Sequence, residues 1–314
     1  MSATAADTMQ GFVHPALFYR GQEEYLAGTV PFIQDGLAAG EPVAVSVPTW
    51  NLRLLSAALG ADASRVRLMD MTQEGRNPGR IIPGVLRAFA DAHPAGRVRI
   101  IGEPIWAGRS ATEYPACAQH EALINAAFAG RDVTILCPYD VAALDATVVA
   151  DALVTHPLVI DEAGERPSEV YAPEAVVAGY NEPLPVPADA DVVQFDAANL
   201  SAVRASAAVL AKAYGLAADR IPDLQLIANE LATNAVIHGG GSGRMAIWTV
   251  AGSLVCQVDS AGRLSDPLAG RTPAGRRQQG GRGLLLVNYL SDLVRVHVSD
   301  AGTAIRALLT LCTG

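Results

Sequence analysis

The stretch "DLQLIANELATNAVIHGGG", Asp223 to Gly241, decides how the second half of this chain is read. Its apolar positions repeat as one face of an amphipathic helix, with Pro222 suited to the first turn and glycines after His238 to end it. Glu230, Asn234 and His238 recur every four residues, so a polar stripe runs along the same helix. Such a stripe on its own is a solvated face. What surrounds it gives it more to do.

Upstream, "NLSAVRASAAVLAKAYGL" reads as a helix with Asn199 or Ser201 available as N-cap. Downstream, "GRMAIWTV" and "SLVCQVDSAG" read as two strands of a hairpin joined at Ala251 and Gly252. A loop rich in Gly, Arg, Pro and Gln follows, Gly262 to Gly281. Then "GRGLLLVNYLSD" looks like a helix opening on glycines, and "LVRVHVSDAGTAIRALLTL" like a closing hairpin. A carboxylate at a strand end, as in "VDSAG", can accept from an exocyclic amine. Glycines at a helix start, as in "GGRGL" (Gly280 to Leu284), let backbone N–H groups approach phosphate oxygens. An amide oxygen one turn from a carboxylate suits the shell of a phosphate-bound magnesium ion.

In that order, "NELATNAVIH", "DSAG" and "GRGL" resemble the N-box, G1 box and G2 box of the GHKL, or Bergerat-fold, ATPases, and the "ELATNAVIH" wording is similar to the anti-sigma-factor serine kinases. The resemblance spans about Asp191 to Gly314. It implies ATP and Mg2+ as cofactors. It assigns Asn234 to the metal, Asp259 to the adenine amine, and Gly262, Gly281 and Gly283 to the nucleotide pocket and its lid. Glu230 becomes the general base toward an attacking hydroxyl, or else a carboxylate that only orders the metal shell. Leu264 stands where the family often has a second glycine, which leaves Arg271, Arg276, Arg277 and Arg282 available to the phosphates, or as a merely soluble loop. His238 is read as a helix-end residue and left out of the catalytic set.

The first half alternates β-branched runs, "PVAVSV", "RVRLMDM", "RVRIIGEP" and "DVTILCPY", with helical segments such as "GRIIPGVLRAFADA" and "YPACAQHEALINAAF". That alternation predicts βα units on a mostly parallel sheet. A P-loop needs a lysine, and the chain's only one, Lys212, lies outside this half, which excludes Walker-type hydrolysis here. His14, Tyr19, "GEPIW", "QHEALIN", "LCPYD" and "THP" carry the chemistry, several at expected strand ends where open α/β sheets bind ligands. Their order resembles the MEDS sensory domain over about His14 to Ile160, which is similar to a RecA-type fold without its ATP machinery and implies small-molecule sensing. His14, Glu103, Trp106, His120, Glu121, Cys137 and Tyr139 are the candidate ligand contacts. Each has an ordinary alternative as hydrogen-bonded or apolar core. A histidine–carboxylate metal site is weakly signalled, because no pair has i, i+4 spacing. "QHEALIN" has the His-Glu order of a phosphoacceptor box but sits within the βα pattern, so a histidine kinase ranks low.

The fold class expected is therefore α/β throughout: a RecA-like, mostly parallel domain over 10–180, a linker over 181–191 in the proline-punctuated "NEPLPVPADAD", and a GHKL α/β sandwich over 192–314. At 314 residues and 50% hydrophobic composition, both halves can build a core. The net charge of −9 argues against a broad nucleic-acid footprint, leaving room only for a local basic patch. The amino terminus lacks a secretory signal and no run reaches 18 apolar residues, so a cytoplasmic location away from membranes is expected. Cys117, Cys137, Cys256 and Cys312 show no CxxC pair and are read as reduced thiols. Together these readings describe a signalling regulator. Its sensor controls an ATP-binding output that phosphorylates a serine or threonine on an anti-sigma-factor antagonist or sequesters a sigma factor. The alternative is a non-catalytic, nucleotide-dependent partner-binding module. Homodimerisation stays open.

Overall fold

The computed structural model describes residues 11–273 and 281–311. The chain divides into two compact units: residues 1–76 with 84–180, and residues 181–314 with the short insert Asn77–Pro83.

In the first unit the strands are β1 (Pro15–Tyr19), β2 (Val43–Val47), β3 (Arg67–Asp70), β4 (Val98–Gly102), β5 (Val133–Asp140), β6 (Leu158–Asp161) and β7 (Gly164–Pro167). The helices are α1 (Gly21–Ala38), α2 (Thr49–Leu59), α3 (Met71–Glu74), α4 (Arg87–Ala92), α5 (Tyr114–Ala127), α6 (Ala146–Thr155) and α7 (Pro173–Gly179). One seven-stranded sheet runs in the order β3-β2-β4-β5-β1-β6-β7. Every neighbouring pair is parallel except β6–β7, a hairpin at the edge. The mostly parallel sheet expected from βα alternation is therefore what forms.

Because strand side chains alternate, the two faces can be read residue by residue. Leu17, Tyr19, Val43, Val45, Val47, Ile101 and Leu136 pack with Tyr25 and Ile33 of α1 and Leu55 and Leu59 of α2. Ala16 and Cys137, which pair in register, turn the other way, toward Glu121 of α5. Apolar burial on both faces explains the near-continuous hydrophobic strands.

The second unit holds β8 (Asp191–Asp196), α8 (Leu200–Ala213), α9 (Ile221–His238), β9 (Ser242–Val250), β10 (Ser253–Ser260), α10 (Gly283–Leu290), β11 (Leu293–Ser299) and β12 (Gly302–Thr310). Its five strands run β11-β12-β10-β9-β8, all antiparallel. Helix-facing residues Met245, Ile247, Leu254, Cys256, Val258, Ile305, Ala307 and Leu309 form one core with Val203, Ala207, Leu224, Ile227, Leu231 and Val287. This is the α/β sandwich expected. Ala251 and Gly252 make the β9–β10 turn with φ of 46° and 76°, the left-handed pair that a two-residue hairpin uses. Asn199 sits at the N-cap of α8, but its side chain accepts from Asp196 N (2.8 Å) instead of capping the helix.

The opposite sheet face is covered by the proline-rich stretch. Asn181 Nδ2 donates to Val298 O (2.7 Å), Gln257 Nε2 to Leu184 O (3.0 Å), Arg306 to Pro185 O (2.7 Å), and Arg295 pairs with Glu182 (2.9 Å). These residues are built into the second unit. Among the described residues no helix is long and apolar enough to cross a membrane.

Candidate functional site

A cleft of about 260 Å³ lies at the carboxyl end of α9 in the second unit, lined by Asn234, His238, Ser260, Gly262, Gly281 and Gly283 among others. The floor is fixed by close packing. A Cβ on Gly262 would sit 2.3 Å from His238 O, so the turn after β10 lies directly on the end of α9. Gly262 O accepts from Thr303 Oγ1 (2.7 Å), and Gly262 N donates to Gly239 O (3.1 Å). At the other wall, a Cβ on Gly283 would lie 2.6 Å from Glu230 Oε2 and 3.3 Å from Asn234 Nδ2. The amino end of α10 therefore presents bare backbone beside an amide and a carboxylate from one stripe of α9. Helix termini of this kind favour phosphate oxygens, and oxygen donors suit magnesium.

Several expected residues sit elsewhere. Asp259 does not reach the cleft. Leu254, Cys256 and Val258 face the helices, so Gln257 and Asp259 face the other side by the two-residue period of the strand. There Asp259 accepts from Arg244 (2.7 and 3.2 Å) and from Gln257 Nε2 (2.7 Å). Ser260 takes the place at the cleft wall. Arg282 is the exposed N-cap of α10 and is not among the lining residues. Arg271 is buried, and Arg276, Arg277 and Gly280 lie outside the described residues. The arginine that does line the cleft is Arg263. His238, left out of the catalytic set, both ends α9 and lines the cleft. The donors therefore fit the phosphate and metal end of a nucleotide, while the base end offers a hydroxyl in place of the expected carboxylate.

The seven sensor candidates in the first unit separate into different surroundings. Glu103 follows β4, near the carboxyl ends of β1 and β2, where connections leave β2 and β4 in opposite directions along the sheet. Asn51 Nδ2 donates to both of its oxygens (3.0 and 2.9 Å), with the hydroxyls of Tyr19 and Tyr25 at 3.5 Å. Burial pushes its carboxyl up to about 8, against the pull of those donors. Trp106 belongs to a different surface, with the Arg109 guanidinium 4.0 Å above its ring and the exposed Trp50 edge-on at 6.3 Å.

His14, Glu121 and Cys137 meet at the opposite strand ends, together with His156. His14 immediately precedes β1 and His156 caps α6 just before β6, whose start pairs with that of β1. Glu121 comes from α5 and Cys137 from β5. All four residues are buried. Burial alone would raise Glu121, but His14 and His156 against it hold the carboxyl well below the usual range. Burial lowers His14 to about 4, with His156 adding to the effect. Tyr139 lies beside His156, rings 5.5 Å apart, its hydroxyl buried without a hydrogen-bond partner. His120 is buried inside α5. The sequence named "THP" but passed over His156 as a contact, because sequence spacing carries no sign of a donor set drawn from four segments.

Residues 13–157 match the family described as MEDS, the MEthanogen/methylotroph, DcmR Sensory domain, and residues 193–309 match the Histidine kinase-like ATPase domain. The chain joins a MEDS sensory domain to a histidine kinase-like ATPase domain. No curated protein matches it. The MEDS region contains both buried carboxylate clusters, and the ATPase-type region contains the whole cleft. A sensory domain beside an ATP-binding type of domain is the architecture of a signalling regulator.

Proposed function

We propose that this signalling regulator binds a magnesium nucleotide in the cleft of its second unit and uses it to phosphorylate a serine or threonine of an anti-sigma-factor antagonist, under control of a small molecule sensed by the MEDS domain. The observation that supports it most is the Glu230–Asn234 pair set against the bare amino end of α10. Magnesium bound with the nucleotide would supply charge neutralisation for phosphoryl transfer. Asn234 would present its amide oxygen to the metal. Glu230 would take the proton of the partner's hydroxyl, and the Gly283 backbone leaves room for phosphate oxygens. Regulation requires that the sensed molecule bind two states of the protein with different affinity.

A second reading has its own support: Ser260 at the cleft wall and Leu264 in place of a glycine both suit a module that holds nucleotide to set its shape and sequesters a sigma factor without catalysis. Calorimetric titration of Mg-ATP, followed by labelled-phosphate transfer to candidate antagonists, distinguishes them. The kinase reading expects binding abolished by Asn234→Ala and transfer abolished by Glu230→Ala with binding retained. Binding without transfer to any antagonist selects the module. Absence of binding overturns both. Asp259→Asn should leave affinity unchanged, whereas Ser260→Ala should weaken it about fivefold, the cost of one hydrogen bond.

A further inference from the structure

The buried group in the MEDS domain shares no residue with the nucleotide cleft and has a donor chemistry of its own. We propose that His14 Nε2, His156 Nε2, Cys137 Sγ and the Glu121 carboxylate bind a divalent transition-metal ion of the zinc class. Two imidazoles, a thiol and a carboxylate form a donor set that zinc accepts, and the four ligand atoms all lie within 4.8 Å of one another. Metal–ligand lengths of about 2.0–2.3 Å place the corners of a tetrahedron roughly 3.3–3.8 Å apart. The present separations are of that size: 3.1 Å from His156 to Glu121, 3.5 Å from His14 to Glu121, and 3.4 Å from Cys137 to His14.

The outer hydrogen bonds support the same reading. His14 Nδ1 donates to Asn125 Oδ1 (3.1 Å), and Asn125 is itself held by Nδ2 donating to Thr155 O (2.8 Å) and Ala122 O (3.1 Å). His156 Nδ1 donates to Ala152 O (2.9 Å). Both rings are thereby fixed in the tautomer that leaves Nε2 bare, the arrangement by which metal-binding histidines are oriented from behind. In the neutral rings those two lone pairs point at a single carboxylate oxygen, Glu121 Oε2, which carries lone pairs of its own. Neither oxygen of Glu121, nor Nε2 of His156, makes a well-directed hydrogen bond. A cation between them resolves every one of these contacts, and its binding displaces the Cys137 thiol proton to solvent. The resulting site would tie β5, α5 and the segments leading into β1 and β6 at one point. It is independent of the nucleotide cleft.

The test uses the full chain. Protein purified from zinc-supplemented cells is assayed for metal by mass spectrometry. In parallel, chain refolded with Co2+ is examined for tetrahedral ligand-field bands and a thiolate charge-transfer band. We expect one equivalent of metal per chain and both cobalt signatures. The charge-transfer band should vanish in Cys137→Ser and persist in Cys117→Ser, and affinity should fall at least about tenfold in His156→Ala. Circular dichroism of the near-isosteric Cys137→Ser variant verifies that it remains folded. No metal by either route overturns the proposal, as does an octahedral cobalt spectrum or a thiolate band that survives Cys137→Ser.

Discussion

Glu103 and Glu121 are both buried carboxyl groups of the MEDS domain, and the protein treats them in opposite ways. Glu103 meets only neutral donors, the Asn51 amide and two tyrosine hydroxyls, and burial pushes it up to about 8. Glu121 meets imidazoles and is held below the ordinary range despite equal burial. Burial thus sets the cost of charge, and the neighbour decides whether the charge stays. One of these groups is neutral near pH 7 and can donate a hydrogen bond. The other is an anion that needs a counter-charge.

Removing Glu121 should break the comparison most severely. Glu121→Ala leaves the buried His14, His156 and Cys137 without the carboxylate they surround and should destabilise the first unit by about 3–5 kcal/mol. Urea unfolding followed by Trp50 and Trp106 fluorescence in a Trp248→Phe background would measure it, and a loss below about 1 kcal/mol would contradict it.

Glu103 makes a pH prediction. Its folded pKa lies above the value of an unfolded glutamate, so the folded state holds the extra proton. Its contribution is fully present below about pH 4.5 and is lost as pH rises through about 8. Glu103→Gln should therefore be more stable than wild type at pH 8, by a few kcal/mol, with the difference shrinking toward pH 5. Parallel stability–pH curves for the two proteins would refute this.

Asn51→Ala removes the two shortest hydrogen bonds to the Glu103 carboxyl group among the described residues and should cost about 1–3 kcal/mol by the same fluorescence assay. The smallest effect belongs to Asp259, a partly exposed carboxylate paired with Arg244. There Asp259→Asn should cost less than about 1 kcal/mol in urea unfolding. A larger loss would mean that exposure does not relax the electrostatics as the two buried groups imply.

What the sequence made legible follows local periodicity. Alternating β-branched runs announced the parallel sheet of the first unit, and Ala251–Gly252 marked the β9–β10 hairpin of the second. The polar stripe of α9 sets Glu230 and Asn234 side by side next to Gly283, a juxtaposition readable from helical spacing because one helix carries both. Asp259 was misplaced through motif wording, although counting by twos from Leu254 through Val258 would have turned it away from the helices. The donor set of His14, Glu121, Cys137 and His156 was beyond spacing rules, because only the closure of β1, β5 and β6 into one sheet brings those segments together. The proline-rich stretch resembled an extended connector because proline removes backbone donors. Its carbonyls remain acceptors, and side chains of the sheet hold them.

Ser260 carries a consequence for selectivity. A carboxylate on that wall could only accept hydrogen bonds and would reward a purine amine while rejecting a carbonyl. A hydroxyl rotates to give or to receive. A cleft walled by Ser260 would accordingly tell guanine from adenine poorly at that contact, and its discrimination between nucleotides would have to come from the phosphate end.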